Sequence, residues 1–322
     1  KLENLKKQSP QTLLKYIKEN SDIDINDDKI FVENYQKDWS NIEGHADIVA
    51  RPKNTDECCL LMFLFSNAHI PITISAGKTN LTGSATPQGG VVINTELMLL
   101  PKAKINVNNK IIKVPVGEIL ENIRNDVLKL SNHTLYYPVD PTSRKDATVG
   151  GTILCNASGF VPGEKGATRY WVESIEMVLL NGKKINARRG QYISKNNEFI
   201  IDNNVVKVPT YSRPKIKNAS GIFSADKNDI DFVDLIIGSE GIFGLLTGCE
   251  LRLDTLSKNH IDFFIPIDNE RLAIKFYHYI SNFINESNYE LKALEYFGHN
   301  SQNYMKNSEF LFDSNEQVGI YM

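Results

Sequence analysis

The sequence has little cysteine, little net charge and no long apolar run. Its four cysteines, Cys58, Cys59, Cys155 and Cys249, form no Cys-x-x-Cys pair, which argues against a disulfide framework or a zinc site. A formal net charge of -3 gives no reason to expect a nucleic-acid partner. The longest apolar run, Cys58 to Phe65, is far shorter than the roughly 20 residues that span a bilayer. We therefore expect a cytoplasmic protein, with peripheral attachment at the inner face of the membrane left open.

Length and composition fit a soluble protein of about two domains. The chain has 322 residues, of which 41% are hydrophobic and 23% are charged. Between about residues 45 and 255, short apolar strands alternate with helices, which predicts an α/β or α+β domain. The pattern changes after Asp254. We therefore expect a helical lead-in over residues 1–44, a main domain over 45–255 and a partial second domain over 256–322.

Local patterns predict individual elements. Ser9 followed by Pro10 is typical of a helix start, and Asn181-Gly182 is typical of a hairpin turn. Further helix starts are predicted near Thr55, Gly117 and Asp268, a loop over 21–28, and strands at 70–74, 91–93, 111–114, 172–180, 235–237, 245–253, 261–267 and 291–296.

A first segment of small residues, 74–84, directly follows a predicted strand. Small residues allow a sharp turn, and successive backbone N–H groups in such a turn bind anions, with the hydroxyls of Thr79 and Ser84 as further donors. A diphosphate suits this turn, and a plain surface turn is the alternative. Gly77-Lys78-Thr79 does not complete a P-loop, because Ile72 stands where that motif needs glycine.

Two later segments are also rich in small residues. The second runs from 137 to 159 and contains Gly150-Gly151, and its small residues leave room for a flat ring system; a structural Gly-Gly turn is the alternative. The third, 238–244, is spaced Gly-x-x-Gly-x-x-Gly. It therefore differs from the Gly-x-Gly-x-x-Gly turn of dinucleotide-binding folds.

In order and spacing, these segments resemble the FAD-binding domain of the vanillyl-alcohol-oxidase (PCMH) type. That family reads roughly Gly-Gly-Gly-Thr-Ser-Leu-Ser/Thr-Gly, then Pro-x-Asp-Pro-x-Ser, Ala-Thr-x-Gly-Gly and Asn-Ala-x-Gly, then Gly-Ser/Thr-Glu-Gly-x-x-Gly. The matching residues are 76–83, 138–143, 147–151, 156–159 and 238–244, with lesser matches at 166–169 and 217–221. The resemblance covers about residues 45 to 255 and points to the branch of D-lactate dehydrogenases and glycolate oxidases.

The resemblance implies an α+β fold, in which a two-subdomain FAD-binding domain is followed by the start of an α+β cap domain. It implies non-covalent FAD, because residues 70–132 contain no histidine of the kind through which several relatives attach the cofactor. Lys78 stands where the family has glycine, and either adds positive charge near the diphosphate or points to solvent. Glu240 either accepts a ribose or backbone hydrogen bond or forms a salt bridge. The implied cofactor-binding residues are Ala76, Gly77, Lys78, Thr79, Asn80, Leu81, Pro138, Asp140, Thr142, Thr148, Gly150, Gly151, Leu154, Asn156, Ala157, Ser158, Glu240, Gly241, Ile242 and Leu246.

The resemblance also implies a reaction, namely hydride transfer from the α-carbon of a small D-2-hydroxy acid, lactate-like or glycolate-like, to flavin N5. Relatives carry a histidine-rich signature, often bound to a divalent metal, in the cap and C-terminal segment. None of the six histidines here lies in such a cluster. His299, the nearest to the expected cap region, is interpreted as a surface residue. No catalytic residue and no metal site is assigned, and we expect the catalytic half to be missing from this chain.

Several alternatives remain open. The same flavin scaffold serves other alcohols or sugar-type substrates, and a non-catalytic flavin-binding subunit is a further alternative. The electron acceptor is unknown, with a quinone or a cytochrome as candidates. A homo-oligomer and additional subunits are both left open.

Overall fold

The computed structural model describes residues 5–201, 204–214, 216, 218–219, 222–224, 228–307, 311–314 and 316–322. Its helices are α1 (Pro10–Asn20), α2 (Lys29–Glu33), α3 (Thr55–Asn67), α4 (Leu120–Leu130), α5 (Val149–Leu154), α6 (Thr168–Trp171), α7 (Phe232–Ile236) and α8 (Glu270–Glu286). Its strands are β1 (Asp24–Asn26), β2 (Ile48–Arg51), β3 (Ile72–Ser75), β4 (Val91–Asn94), β5 (Lys104–Asn106), β6 (Ile111–Val114), β7 (Leu135–Tyr136), β8 (Val172–Val178), β9 (Lys184–Arg188), β10 (Glu198–Ile201), β11 (Asn204–Lys207), β12 (Leu245–Arg252), β13 (Asp254–Thr255), β14 (Phe264–Ile267), β15 (Glu295–Phe297) and β16 (Val318–Tyr321).

The first sheet has the strand order β1-β2-β4-β3. Strands β2, β4 and β3 are parallel, and β1 joins the β2 edge in antiparallel pairing. Helix α3 connects β2 to β3, and these two strands pair in parallel with opposite sides of β4. In this register Ser75 pairs with Asn94, so the carboxyl ends of β3 and β4 lie side by side. The first segment of small residues begins at this edge.

The second sheet is antiparallel throughout, with the order β5-β6-β12-β8-β9. Strand β12 alternates buried and less buried positions, and Leu245, Cys249 and Leu251 are all on its buried side. The hairpin between β8 and β9 turns where the sequence predicts it. Gly182 there has a φ of 77°, a conformation that favours glycine.

One hydrophobic cluster runs through both sheets and includes Leu13, Phe65, Ile112 and Val127. A third sheet, β14-β16-β15, carries α8 and has its own small cluster of Ala273, Val318 and Ile320. The combination of helices with one mainly parallel sheet and one antiparallel sheet makes this an α+β fold, as the sequence predicts. The domain boundaries near residues 44 and 255 remain predictions. No helix in the described part of the chain combines the length and apolar character needed to cross a membrane.

Two element predictions are wrong. Residues 21–28 are not wholly a loop, because β1 forms within them and buries Ile23 and Ile25 against the core. The apolar run 235–237, predicted as a strand, belongs largely to α7. Asp231 caps that helix by accepting the N–H of Val233 at 2.8 Å. A run of three apolar residues has no periodicity that separates strand from helix.

Smaller differences concern helix starts and glycines. Asn54 rather than Thr55 caps α3, and Asn269 rather than Asp268 caps α8. Shifts of one residue at the start of a helix are expected, because neighbouring polar residues compete for the capping position. Gly150 and Gly151 lie inside α5 rather than in a turn.

Candidate functional site

A cleft that is partly open to solvent lies where the carboxyl edge of the first sheet faces α5. All three segments of small residues contribute to it. Its lining residues are 74–80, 84, 85, 95, 143, 147, 148, 150–152, 154, 155, 157, 240 and 246. The segments are far apart in sequence, and the fold brings them together at one place.

Twelve of the twenty predicted cofactor-binding residues line this cleft. They are Ala76, Gly77, Lys78, Thr79, Asn80, Thr148, Gly150, Gly151, Leu154, Ala157, Glu240 and Leu246. The other eight, Leu81, Pro138, Asp140, Thr142, Asn156, Ser158, Gly241 and Ile242, are not part of the lining. Contact of any of these residues with a cofactor remains a prediction.

Some of these eight residues have a structural role, and others have exposed side chains. The Asp140 carboxylate accepts the N–H of Phe160 at 3.1 Å, and Asn156 Oδ1 accepts the N–H of Arg169 at 3.0 Å. The side chains of Leu81 and Ile242 are 73% and 58% exposed. Of the lesser motif at 217–221, residues 217, 220 and 221 lie outside the described residues.

The loop after β3 presents unused hydrogen-bond donors. Residues 77–80 line the cleft, and within the described part of the chain none of their backbone N–H groups donates to a protein acceptor. The far end of the loop is fixed, because Asn80 Oδ1 accepts the N–H groups of residues 82, 83 and 84 at 3.2, 3.1 and 3.2 Å. Backbone donors are rarely left unpaired, and a series of them suits an anion.

Glycine is required where this loop packs against the segment that leads into α5. A Cβ added at Gly77 would lie 2.2 Å from the carbonyl oxygen of Asp146. A Cβ at Gly151 would lie 3.2 Å from Thr148 Oγ1 and 3.5 Å from Ala76 Cβ. Side chains at these positions would therefore shift the loop or fill the space between the loop and α5. The donors and this open space fit the diphosphate part of FAD.

The side chain of Lys78 reaches the segment that follows α2, and a role for its charge near a diphosphate stays a prediction. Its φ of 55° is left-handed, and its ammonium group donates to the carbonyl of Asn34 at 3.0 Å and lies 4.1 Å from the ring centroid of Tyr35. Burial lowers the pKa of Lys78. The Tyr35 hydroxyl donates to Glu96 at 2.6 Å, and burial together with this bond raises the pKa of Tyr35 to about 12. Lys78 therefore connects the loop to the end of α2.

Glu240 connects the first and third segments. Its carboxylate accepts the hydroxyl of Thr82 at 3.0 Å, and its N–H donates to the carbonyl of Leu154 at 2.9 Å. No salt bridge to Glu240 is found among the described residues, and a hydrogen bond from a ribose to this carboxylate stays a prediction. Among the residues that line the cleft, Lys78 and Glu240 are the only ones with a formal charge at neutral pH.

Sequence reasoning missed some lining residues, among them Thr95 and Thr152. Thr95 directly follows β4, and its N–H donates to the carbonyl of Ser75 at 3.0 Å. Because ligands bind beyond the carboxyl ends of parallel strands, the position after β4 was a usable signal. Cys155 also lines the cleft, and burial raises the pKa of its thiol to about 11.

Within the described residues, no side chain is identified as a catalytic base and no metal site is found. All six histidines, including His299, are exposed. In residues whose positions are described, no three His, Cys, Asp or Glu side chains come together as a metal site would require. The cleft is therefore a binding site whose chemistry depends on what it holds.

Comparison with known proteins shows what the chain is similar to. Residues 46–188 match the protein family described as FAD binding domain. The chain is 27% identical over 239 residues to a D-lactate dehydrogenase of Anaerostipes hadrus, covering 74% of this chain and 43% of that protein. It is 28% identical over 218 residues to the glycolate oxidase subunit GlcD of Bacillus subtilis, covering 66% of this chain and 37% of that protein.

A solved structure of an alkyldihydroxyacetonephosphate synthase shares the fold. It aligns with a TM-score of 0.72 at 16% sequence identity, covering 98% of this chain and 55% of that one. The likeness at this low identity concerns the fold alone. The chain spans less than half the length of these two relatives.

Proposed function

We propose that this chain is the FAD-binding part of an FAD-dependent oxidoreductase of small D-2-hydroxy acids, a proposal supported by the match of residues 46–188 to the FAD binding domain family. The observation that carries the proposal is that residues 77–80 line the cleft while their backbone N–H groups have no acceptor among the described residues. The relatives named D-lactate dehydrogenase and glycolate oxidase subunit support the substrate class.

Individual residues have defined tasks in this proposal. The N–H groups of 77–80 bind the diphosphate, and the hydroxyls of Thr79 and Ser84 supply further donors. Asn80 holds the loop in the binding conformation through its three backbone bonds. Gly151 keeps the space between the loop and α5 open. Bound FAD supplies the hydride acceptor for the substrate α-carbon.

A non-catalytic flavin-binding subunit is the second candidate. The observation that favours it is the lining of the cleft, in which Cys155 and Glu240 are the only side chains other than Lys78 that titrate. Glu240 is already hydrogen bonded to Thr82. A general base needs to lie within hydrogen-bond reach of the substrate hydroxyl, and no residue is assigned that role.

Anaerobic flavin reduction separates the two candidates. We expect D-lactate or glycolate to bleach the visible flavin band of the FAD-loaded holoenzyme to which this chain belongs, with L-lactate as the stereochemical control. Bleaching by dithionite but by neither hydroxy acid would contradict the enzymatic proposal and favour the flavin-binding subunit.

A further inference from the structure

A buried amide side chain holds the first residue of the loop after β3. Asn94, the last residue of β4, is fully buried, and its Nδ2 donates to the carbonyl of Ala76 at 3.0 Å and to Ser75 Oγ at 3.2 Å. Its Oδ1 accepts the N–H of Glu96 at 2.9 Å. Because β3 ends at Ser75, the Ala76 carbonyl is the first of the loop. Asn94 therefore joins the end of β4 to the start of the loop that follows β3.

The amide of Asn94 fits these partners in one orientation only. An asparagine amide has two N–H donors and one oxygen acceptor. The Ala76 carbonyl can only accept and the N–H of Glu96 can only donate, so rotating the amide by half a turn would place oxygen against oxygen. Such a mismatch is costly in a buried position, because water does not replace the lost partners. The side chain is therefore a fixed donor to the Ala76 carbonyl.

The carbonyl of Ala76 belongs to the same peptide unit as the N–H of Gly77. This peptide bond is trans, and in a planar trans peptide the C=O and the following N–H point in opposite directions. A donor that holds the carbonyl on one side therefore directs the N–H to the other side. Gly77 lines the cleft and Asn94 does not. The bond from Asn94 thus fixes the direction of one of the N–H groups assigned to the diphosphate.

The same arrangement recurs two residues further along the loop. The N–H of Trp39 donates to the carbonyl of Lys78 at 3.1 Å, and Trp39 also lies outside the cleft lining. The N–H of Thr79, in the same peptide unit as that carbonyl, is therefore directed away from Trp39. The carbonyls of 76 and 78 are held by the protein, whereas the N–H groups of 77 and 79 have no acceptor among the described residues. This alternation leaves the N–H groups for an anion.

We propose that Asn94 is a positioning residue of the cofactor site, which aims the N–H of Gly77 at the FAD diphosphate by holding the carbonyl of Ala76. It acts through the loop and does not touch the cofactor, since it is fully buried outside the cleft lining. No sequence motif contains it, because its role depends on the register that sets it beside Ser75. The inference rests on the proposed function for the identity of the anion, but the binding it concerns is measured without turnover.

Two competing ligands, one with a diphosphate and one without, isolate this role. We would measure the inhibition constants (Ki) of ADP and of adenosine against FAD uptake by the holoenzyme to which this chain belongs, after its FAD has been removed. Asn94→Asp keeps the size of the side chain and the acceptor for Glu96, but its carboxylate cannot donate to the Ala76 carbonyl. Asn94→Leu removes all three bonds. Both variants should raise the Ki of ADP roughly ten-fold or more and leave that of adenosine within about two-fold, as expected for loss of donors that only the diphosphate uses.

Asn67→Asp is the matched control. Asn67 also donates its amide to a carbonyl, that of Phe63 at 2.8 Å, but it is exposed at the end of α3 and does not line the cleft. The change should leave both Ki values as they are in the wild type.

The outcomes separate this inference from the proposed function. An unchanged Ki of ADP in Asn94→Asp would overturn the inference, and so would equal increases for ADP and adenosine, because they indicate a general loosening of the fold. Equal Ki values for ADP and adenosine in the wild type would overturn it as well. Loss of the ADP advantage in both variants, with no reduction of the wild-type flavin by any hydroxy acid, would keep the inference and reject the proposed substrate class.

The wild type decides the question if the variants do not fold, which their Tm would show. With 15N-labelled glycine, the amide resonance of Gly77 should shift downfield when ADP binds, as expected for a new hydrogen bond to phosphate oxygen. A resonance that does not move on saturation with ADP would overturn the inference.

Discussion

At the scale of single residues, the loop after β3 depends on two neighbouring positions with opposite requirements for side-chain size. Gly77 has no room for a side chain, because a Cβ would lie 2.2 Å from Asp146 O. Lys78, the next residue, has a long side chain that reaches Asn34 and Tyr35. The sequence predicts that both lie in a ligand-binding turn. It does not predict the contact partner of Lys78, because Tyr35 lies more than forty residues away in the chain.

Gly77→Ala should weaken FAD binding. The new Cβ must push the loop away from the backbone of residue 146, which moves the N–H groups that line the cleft. Overpacking of this kind costs about 1–3 kcal/mol, so a roughly ten-fold or larger rise in the Kd for FAD is expected in a fluorescence titration. Gly248→Ala is the control, since a Cβ there meets its nearest atom at an ordinary 3.4 Å. Equal Kd values for the two variants would contradict the argument.

Lys78→Met should also weaken FAD binding, although the lysine charge is directed elsewhere. The change removes the bond to the carbonyl of Asn34 and the contact with Tyr35, which together contribute about 1–2 kcal/mol. We expect a roughly five- to thirty-fold higher Kd with a faster FAD dissociation rate. The exposed Lys102→Met serves as the control. An unchanged dissociation rate would show that the contact does not fix the loop.

At the scale of elements, the sequence predicts those with a long or capped pattern and misses short ones. The helices α1 and α4 have apolar residues at helical spacing, and both form where predicted. Strand β1 and helix α7 have three to five residues, too few for a period, and tertiary contacts decide their form. The same holds for the site. The motif residues can be found from the sequence, but the hydrogen bond between Thr82 and Glu240 cannot, because the two residues are 158 positions apart.

That link should slow FAD release. Thr82→Val removes the hydroxyl that donates to Glu240 and keeps the shape of the side chain. Because both groups are exposed, the bond contributes about 0.5–1 kcal/mol, and FAD should dissociate roughly two- to five-fold faster in stopped-flow measurements. Glu240→Gln combined with Thr82→Val should add little to the single change. Fully additive effects would mean that the two side chains act separately.

At the scale of the whole molecule, two sheets and one shared core bring three distant segments to one cleft. The motif order predicts this convergence, but the sequence alone does not say which motif residues line the cleft. Asp140 and Asn156, for example, bond to backbone groups outside the cleft lining. A residue can match a motif because it contacts the ligand or because it supports the local backbone. Only the folded structure shows which of these two roles a given residue has.

The central claim is that this cleft holds FAD without a covalent bond. The most direct test is the visible absorbance spectrum of the purified protein, followed by the spectrum of the supernatant after acid precipitation. We expect flavin bands in the protein and their full release into the supernatant. A colourless protein that takes up no added FAD would contradict the account, and flavin that stays with the precipitate would contradict non-covalent binding.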